Sequence, residues 1–338
     1  MSFLLNHYSF GVVAGPVFTT PPVLTVASGS GYVGSTLSWT VGTASAGTPT
    51  AALYGDGLPI IGATSPYLVP IGYNGAEFHV VATVTSGGVS NTAPSNSIHL
   101  WVPQDLDAIA ADIRMSQSGV SLLGSLVTGW DSHTGGTATQ GLSTSCPAYS
   151  ATSFGGFPGI TFDGTDDFLV TTRNTAGQAK RCVIIVGSIA ASKINGFYSG
   201  DSIGQYYLST NSDAMAKIWV TAANSTQVAI SSAAIPLGTN FVIVAETELG
   251  GTYSFRYNGA SKGTGSTTTA AFAASGGPMR IGGAAGGYLN GTLAAVIDCS
   301  DFPSAGDIEK IEGWAAHQFP GAIALDGAHP YLSSPPTV

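Results

Sequence analysis

Two acidic residues lie at a spacing that could support glycoside hydrolysis. Glycosidases place two carboxylates beside the scissile bond, about 5–5.5 Å apart in retaining enzymes and about 6.5–9.5 Å apart in inverting ones. Glu246 and Glu248 are two residues apart, so on a β-strand both side chains would point to the same face. The turn sequence Leu249-Gly250-Gly251 follows them directly. We therefore expect a solvated strand end and not a catalytic pair.

The densest acidic cluster is Asp163-Gly164-Thr165-Asp166-Asp167. Carboxylates and carbonyls in this arrangement could bind calcium, but the spacing of an EF-hand loop is absent. Asp-Gly sequences are also common in ordinary β-turns. We expect a turn here and no metal site. The histidines are dispersed and form no zinc-like spacing; they are His7, His79, His99, His133, His317 and His329.

No motif for nucleophilic or cofactor chemistry stands in the strand-to-helix context that such motifs need. Gly200-Asp201-Ser202-Ile203-Gly204 has the Gly-x-Ser-x-Gly spacing, but no helical pattern follows it, so it is not a nucleophile elbow. The glycine-rich run 281–287 stands between apolar strand-like stretches, whereas nucleotide-binding loops lie between a strand and a helix. We therefore expect no cofactor and no catalytic residues, and the chain is predicted not to be an enzyme.

Sugar recognition has looser requirements than hydrolysis. Lectin sites place an aromatic face against the C–H groups of a sugar and use Asp, Asn and backbone groups for its hydroxyls. Several stretches of the chain combine an aromatic with a neighbouring polar residue. The candidates for glycan binding are Tyr198, Asp201, Tyr206, Trp219, Tyr288 and Asn290. The half-buried rim of a β-sandwich has the same composition, so both interpretations stay open for each residue.

The composition is typical of a β-rich chain. Of 338 residues, 44% are hydrophobic but only 9% are charged, against about 25% in an average soluble protein. Gly (46) and Pro (18) are abundant, and short apolar runs alternate with Ser and Thr. This pattern predicts many short strands joined by turns, which is an all-β fold class.

The charge and the cysteine content indicate which binding partners and which cellular compartment to expect. The net charge is −9 with ten Lys and Arg, so we expect no nucleic-acid partner. The longest apolar run, 182–191, is too short to span a membrane. Cys146, Cys182 and Cys299 are odd in number and mostly lie in apolar stretches, which indicates buried free thiols. The N-terminus lacks the pattern of a signal peptide, so we expect folding in a reducing cytoplasm.

Four segments follow from these patterns. Residues 1–22 combine an apolar segment, expected to dock on a partner or on the protein's own body, with a Pro-rich linker; its apolar residues include Phe3, Leu4, Leu5, Tyr8 and Phe10. Residues 23–102 alternate apolar and polar residues with frequent turns, as in a small β-sandwich. Residues 103–118 connect the parts and are predicted to include a helix over 104–117.

Residues 119–338 are predicted to form one large β-sandwich with a C-terminal helix. Strand candidates are 160–162, 182–186, 217–220, 227–230, 241–245, 253–257, 279–281 and 293–297. Asn258-Gly259 predicts a tight hairpin turn. Ser304 is suited to cap a helix over 304–318, with Asp307 three residues on and Phe319-Pro320-Gly321 at its end.

Three stretches resemble known families. Residues 54–67, followed by 77–85 and Ser90-Asn91, resemble the immunoglobulin-like modules of bacteria and phages, which lack the antibody disulfide. Residues 104–338 resemble the concanavalin A-like lectin/glucanase superfamily in its laminin-G-like jellyroll form. The matching pieces, in order, are Val127–Asp131 with Gly135-Gly136 and Pro147, 158–169, the helix 308–317, and the tail residues His329-Pro330-Tyr331 and Pro335-Pro336. The opening Met-Ser-Phe-Leu-Leu-Asn resembles the start of phage minor structural proteins.

The resemblance implies a phage virion structural protein. An immunoglobulin-like sandwich would act as a spacer for a concanavalin A-like jellyroll that binds host-surface glycan, with residues 1–22 docked on other capsid or tail proteins. It implies location in the virion and a homo-oligomer, trimers being common among such appendages. Hydrolytic members carry Glu-x-Asp-x-Glu, which Glu246-Thr247-Glu248 lacks. The alternatives are a decoration scaffold without sugar binding and a polysaccharide depolymerase.

Overall fold

The chain divides into two compact units in a computed structural model. One unit covers residues 1–100 and the other residues 101–336, so the division lies two residues from the predicted boundary after residue 102. The structure describes residues 15–28, 36–69, 76–99, 102–106, 109–174, 178–200, 206–220, 226–248, 250–267, 277–284, 287–333 and 336.

The described part of the first unit is built from short antiparallel strands. They are β1 (Phe18–Thr20), β2 (Val23–Ser28), β3 (Thr36–Thr40), β4 (Thr43–Ala44), β5 (Thr50–Gly55), β6 (Leu58–Pro59), β7 (Tyr67–Leu68), β8 (Glu77–Ser86), β9 (Val89–Pro94) and β10 (Ile98–His99). Strand β1 pairs with β4, β3 lies between β2 and β7, and a larger sheet has the order β10-β8-β5-β6 with β9 also on β8.

Strand β8 shows how the sequence specifies this unit. Phe78, Val80, Ala82 and Val84 are all 0% exposed, while the residues between them are half-buried. This confirms the predicted period-two alternation, in which one face of the strand is buried. One of the frequent turns expected in this unit lies between β8 and β9, where Gly87 and Gly88 both adopt positive φ. The relation of this unit to immunoglobulin-like modules stays a prediction.

The second unit is an all-β jellyroll sandwich with a C-terminal helix. Its described elements are β11 (Ala110–Met115), β12 (Val120–Leu123), β13 (Leu126–Asp131), β14 (Thr137–Thr139), β15 (Ala148–Phe154), β16 (Phe157–Asp163), β17 (Leu169–Val170), β18 (Lys180–Ile189), β19 (Gly196–Gly200), β20 (Tyr206–Thr210), β21 (Met215–Val220), β22 (Thr226–Ala234), β23 (Asn240–Glu248), β24 (Thr252–Tyr257), β25 (Ala260–Ser266), β26 (Met279–Ile281), β27 (Gly283–Ala284), β28 (Gly287–Tyr288), β29 (Asn290–Cys299) and α1 (Ala305–Gln318).

Its strands wrap around one hydrophobic core. Each of the eight strand candidates in this unit coincides with an observed strand, and most extend by a few residues at one or both ends. The predicted Asn258-Gly259 turn joins β24 to β25, with both residues at positive φ. Most strands of the unit are linked through hydrogen-bonded neighbours into a nearly closed sheet.

The centre of the sheet consists of β23, β18 and β29, which are hydrogen-bonded in that order. Val183 and Ile185 of β18 belong to the core cluster, and their neighbours Ile184 and Val186 are also 0% exposed. Helix α1 packs against β23, so this part of the sheet is covered on its second face as well. Burial of both faces explains why the sequence here is a continuous apolar run.

Helix α1 begins and ends where the sequence predicts. The Ser304 hydroxyl accepts a hydrogen bond from the Asp307 N–H at 3.1 Å, which caps the helix. Ile308, Ile311 and Trp314 are buried, and the helix ends at Gln318 before Phe319. No helix in the described part of the chain is long and apolar enough to cross a membrane.

The C-terminal tail docks on this helix. Glu312 is 0% exposed and pairs with Arg256 of β24 through two hydrogen bonds of 2.9 and 2.7 Å. The His329 Nε2 lies 3.3 Å from the same carboxylate, and His317 Nε2 lies 2.7 Å from the Tyr331 carbonyl oxygen. These two histidine contacts hold the tail against the helix.

The helix predicted over 104–117 is wrong. A short 3-10 turn covers Pro103–Leu106, and the chain then enters strand β11, which pairs with β29. Asp112 and Arg114 are 2% and 1% exposed and form an ion pair with each other. The ladder to β29 and this buried pair outweigh the local helical spacing of apolar residues. Much of the predicted connecting segment 103–118 therefore belongs to the jellyroll.

Candidate binding site

Three loops meet at one place on the second unit. They are the acidic turn 163–168, the loop 190–195, and the β27–β28 hairpin. The Lys193 ammonium group donates a hydrogen bond to the Gly164 carbonyl, which ties the first two loops together. A Cβ built on Gly287 would lie 2.4 Å from the Ile194 carbonyl oxygen, so only glycine allows the hairpin this close to the second loop.

Two aromatic rings lie where these loops meet. Phe168 and Tyr288 are both half-buried, and their ring centroids are 6.3 Å apart at an angle of 33°. The Arg280 guanidinium lies 4.8 Å from the centroid of the Phe168 ring, within cation–π range. We call this group, together with Asp163, Lys193 and Asn290, the Phe168–Tyr288 surface.

Gly283 shapes the contact between the rings. A Cβ on Gly283 would lie 3.0 Å from Phe168 Cβ and 3.5 Å from Tyr288 Cδ1. The Gly283 carbonyl accepts a hydrogen bond from Ser199, which is 0% exposed. The backbone of the hairpin is thus fixed to β19, and the absent side chain leaves room for the two rings beside it.

Three carboxylates lie in the acidic turn that leads to Phe168. Ligand atoms of Asp163, Asp166 and Asp167 lie within 4.8 Å of one another, close enough for one cation to contact all three. Each carboxylate also serves the turn itself. Asp163 accepts from the Thr165 N–H at 2.7 Å, Asp166 from the Ser145 hydroxyl at 3.0 Å, and Asp167 from the Asp163 N–H at 2.9 Å. These bonds confirm the predicted turn.

The three acidic residues differ in their surroundings. The pKa of Asp167 is raised above its ordinary value, mainly by burial. The hydrogen bond from the Asp163 N–H opposes this shift, and the charges of Asp163 and Asp166 add to it. Asp163 is exposed and Asp166 is half-buried. Asp163 therefore presents the most accessible carboxylate of the turn to a ligand.

Asn290 is held beside the acidic turn by a buried asparagine. The Asn290 N–H donates to Asn195 Oδ1 at 2.8 Å. Asn195 is 0% exposed, and its amide nitrogen donates to the carbonyl oxygens of Ala191 and Lys193 and to the Thr210 hydroxyl. Asn195 thereby fixes the loop 190–195 relative to the start of β29. The half-buried Asn290 side chain adds an amide to the surface.

Two of the six predicted glycan-binding residues come together here. Tyr288 and Asn290 both belong to the Phe168–Tyr288 surface. Asp201 lies outside the described residues. Tyr206 and Trp219 lie on β20 and β21, and their side chains are outside the described part of the structure. The predicted docking residues Phe3, Leu4, Leu5, Tyr8 and Phe10 are also outside it.

The prediction that Tyr198 contacts a sugar is wrong. Tyr198 is 0% exposed on strand β19, within the core cluster. Its hydroxyl lies 3.3 Å from Asp298 and 3.5 Å from Asp112, two buried carboxylates. Burial raises its pKa well above the usual value near 10. A ligand from solvent therefore has no access to this ring.

Asp298 is the centre of a buried ionic network. Arg181 donates to it twice, at 2.8 and 2.6 Å, and both residues are 0% exposed. Arg173 donates to it at 3.1 Å. Burial raises the pKa of Asp112, while the Arg114 charge opposes this shift. The network binds β18, β19, β29 and β11 together inside the sandwich, which is a structural role.

Sequence reasoning missed Phe168 and Arg280. Phe168 directly follows the acidic residues 163–167, but the sequence pattern was assigned only a turn and Phe168 was not a glycan-binding candidate. Arg280 stands between Met279 and Ile281, which are both 0% exposed. A charged residue between two core positions of a short strand must point away from the core. This alternation was the available signal for a polar residue on the outer face.

The predicted solvated pair on β23 is partly buried. Glu246 and Glu248 are both half-buried, and Glu246 accepts a hydrogen bond from the Ser254 hydroxyl at 2.6 Å. The pair lies on the ladder between β18 and β24, opposite Cys182 and Lys180 on one side. Glu246 is thus occupied by a neighbour within the sheet.

Comparisons with known proteins identify no family. No protein-family model and no curated protein matches the sequence. Among solved structures, the binding domain of Paraclostridial Mosquitocidal Protein 1 is similar with a TM-score of 0.45 at 9% identity, over 62% of this chain and 52% of that one. The chain therefore spans about half the length of that domain.

Two further solved structures are similar over part of the chain. Domain 4 of AbnA, a GH43 extracellular arabinanase from Geobacillus stearothermophilus, in complex with arabinotriose, has a TM-score of 0.41 at 11% identity, over 56% of this chain and 92% of that one. The receptor binding domain of botulinum neurotoxin C/D mosaic serotype has a TM-score of 0.43 at 8% identity, over 60% and 50%.

Proposed function

We propose that the chain is a glycan-binding attachment protein and that its jellyroll unit binds sugar at the Phe168–Tyr288 surface. The observation that carries the proposal is the pair of half-buried rings at 6.3 Å, with the Arg280 guanidinium against one of them. A lysine, an exposed carboxylate and an amide lie in the segments that meet there. Aromatic faces with a few convergent polar groups are what a sugar site requires.

The surface provides both halves of sugar recognition. The exposed parts of the two rings suit the apolar C–H groups of a pyranose. Asp163 can accept hydrogen bonds from hydroxyls, Lys193 can donate to them, and the Asn290 amide can do both. Arg280 fixes the Phe168 ring from one side, which reduces the conformational entropy lost on binding.

A shallow surface of this kind binds weakly as a single copy. Display of several copies would raise the effective affinity by about 10²–10⁴-fold. We therefore extend the proposal to a bacteriophage virion structural protein, on the capsid or the tail, that displays the jellyroll for host attachment. Support for this part is the resemblance of the sequence to phage proteins and the two-unit organisation.

We further propose that the protein does not hydrolyse its glycan. The Glu246 carboxylate accepts a hydrogen bond from Ser254 within the sheet. A carboxylate engaged in this way is poorly placed to act on a substrate as a general acid or nucleophile. Release of sugar from a host polysaccharide, with loss of that release in Glu246→Gln, would identify a depolymerase instead.

The proposal is tested by applying the full chain, in a multivalent format, to an array of bacterial surface glycans. We expect binding to a restricted set of glycans. A contact with an aromatic ring is worth about 0.5–1.5 kcal/mol beyond the area that it buries. Phe168→Ala and Tyr288→Ala should therefore each weaken binding by at least about 2- to 12-fold.

The matched control for these variants is Tyr54→Ala in the first unit. Tyr54 is also half-buried and stacks on His79 at 5.1 Å, so its loss removes a comparable ring from a different unit. Glycan binding should be unchanged in this variant. If the wild-type chain binds no glycan at high display density, the protein is a decoration scaffold and the proposal fails.

A further inference from the structure

Two of the three buried cysteines are direct neighbours across the central sheet. Cys182 of β18 lies opposite Cys299 of β29 in the antiparallel ladder. Both are 0% exposed, and both are present as free thiols. Side chains directly opposite in an antiparallel pair lie on the same face of the sheet. The two thiols therefore face the same side of the same ladder.

The backbone geometry of such a pair suits a disulfide. Opposite residues in an antiparallel ladder have Cα atoms about 4.5 or 5.5 Å apart, depending on the type of pair. Disulfides form when the Cα atoms are about 4.4–6.8 Å apart, so either spacing falls within the range. The register next to this pair is regular, because Val183 lies opposite Asp298 and Ile184 lies opposite Ile297.

We propose that Cys182 and Cys299 form a latent cross-strand disulfide, open in a reducing compartment and closed when the protein equilibrates with an oxidised low-molecular-weight disulfide. One cysteine thiolate attacks the disulfide, which releases one thiol and leaves a mixed disulfide. The second thiolate attacks the protein sulfur of that mixed disulfide and releases the second thiol. The protein loses two hydrogens, and the oxidant gains them.

The surroundings make the reaction slow in the folded state. Burial raises the pKa of both thiols, that of Cys299 to about 12. Only the thiolate reacts, and both side chains are fully buried, so a disulfide in solution does not reach either sulfur. Exchange therefore requires opening of the β18–β29 ladder. Once formed, the bond is equally protected from reduction.

Equilibrium refolding tests this proposal without depending on the slow opening. The reduced, unfolded full chain is refolded in a buffer of reduced and oxidised glutathione, and the free thiols of the product are then alkylated in denaturant without reductant. We expect a folded product in which Cys182 and Cys299 escape alkylation, with a peptide linking the two and an alkylated Cys146. The bond closes a long loop, so the melting temperature should rise by roughly 5–15 °C.

Single variants control the assignment. Cys182→Ser and Cys299→Ser should each abolish the bond, whereas Cys146→Ser should leave it intact. Three results would overturn the proposal: a folded product with both thiols free at equilibrium, a bond that includes Cys146, or an oxidised form that melts below the reduced form.

Discussion

Among single residues, Asp298 carries a fully buried carboxylate that needs a partner of opposite charge to be stable. Arg181 supplies a bidentate partner for it, and both are fully buried. Removing one partner of a buried pair leaves an uncompensated charge, which typically costs about 3–5 kcal/mol. We expect Asp298→Asn to lower the free energy of unfolding by about that amount, as measured by urea denaturation.

Asp301 provides the matched control for that substitution. It pairs with Lys180 at 3.5 Å, but the side chains are 53% and 41% exposed. Surface pairs of this kind contribute about 0–1 kcal/mol. Asp301→Asn should therefore change the urea midpoint little. Equal effects of the two substitutions would show that the buried network does not stabilise the jellyroll.

Glu312 should make stability depend on acidic pH. Burial alone would raise its pKa, but hydrogen bonds from His329 and Arg256, together with the Arg256 charge, lower it below the ordinary value of 4.5. A carboxyl group with a lowered folded-state pKa contributes stability above its unfolded pKa, and that contribution is lost as the pH falls through the folded value. Urea midpoints from pH 7 downwards should fall more steeply below about pH 4.5 in the wild type than in Glu312→Gln.

At the scale of elements, helix α1 depends on its cap. Ser304 satisfies an N–H group at the start of the helix, and such caps contribute about 1 kcal/mol. We expect Ser304→Ala to lower the unfolding free energy by about 1 kcal/mol in urea. Ser121→Ala, on the exposed side of β12, is the control and should have almost no effect. Equal effects would contradict the role of the cap.

The β27–β28 hairpin should control ring placement. A methyl group on Gly283 would press on Phe168 at 3.0 Å. Gly283→Ala should therefore weaken glycan binding severalfold on the array while the protein stays folded by circular dichroism. A methyl group on Gly327 would meet no atom within 4 Å, so Gly327→Ala is the control. Unchanged binding in Gly283→Ala would show that the rings do not contact the ligand.

Local patterns predicted the strands and helix α1 because alternation and caps are local signals. They failed where a partner distant in sequence decides the structure. Tyr198 follows Asn195-Gly196-Phe197 and resembles a loop aromatic, yet its hydroxyl contacts Asp298, 100 residues away. The apolar spacing of 104–117 fits a helix, but β29 pairs with part of that segment. The sequence singles out Tyr288 and Asn290 as candidates for glycan binding, whereas their proximity to Phe168 depends on how the chain folds.

At the scale of the whole molecule, the division near residue 100 makes a simple prediction. The second unit has its own core, helix and candidate site, all within residues 101–336. A fragment of residues 101–338 should therefore unfold cooperatively in urea and bind the same array glycans as the full chain. Loss of the folded state in this fragment would show that the first unit is required for the jellyroll.

We propose that the Phe168–Tyr288 surface holds the glycan. This is tested by calorimetric titration of the strongest array glycan into the full chain, the Phe168→Ala/Tyr288→Ala double variant and Tyr54→Ala. We expect wild-type affinity in Tyr54→Ala and no measurable heat of binding in the double variant, with all three proteins equally folded. Wild-type affinity in the double variant would place the glycan elsewhere and contradict the assignment.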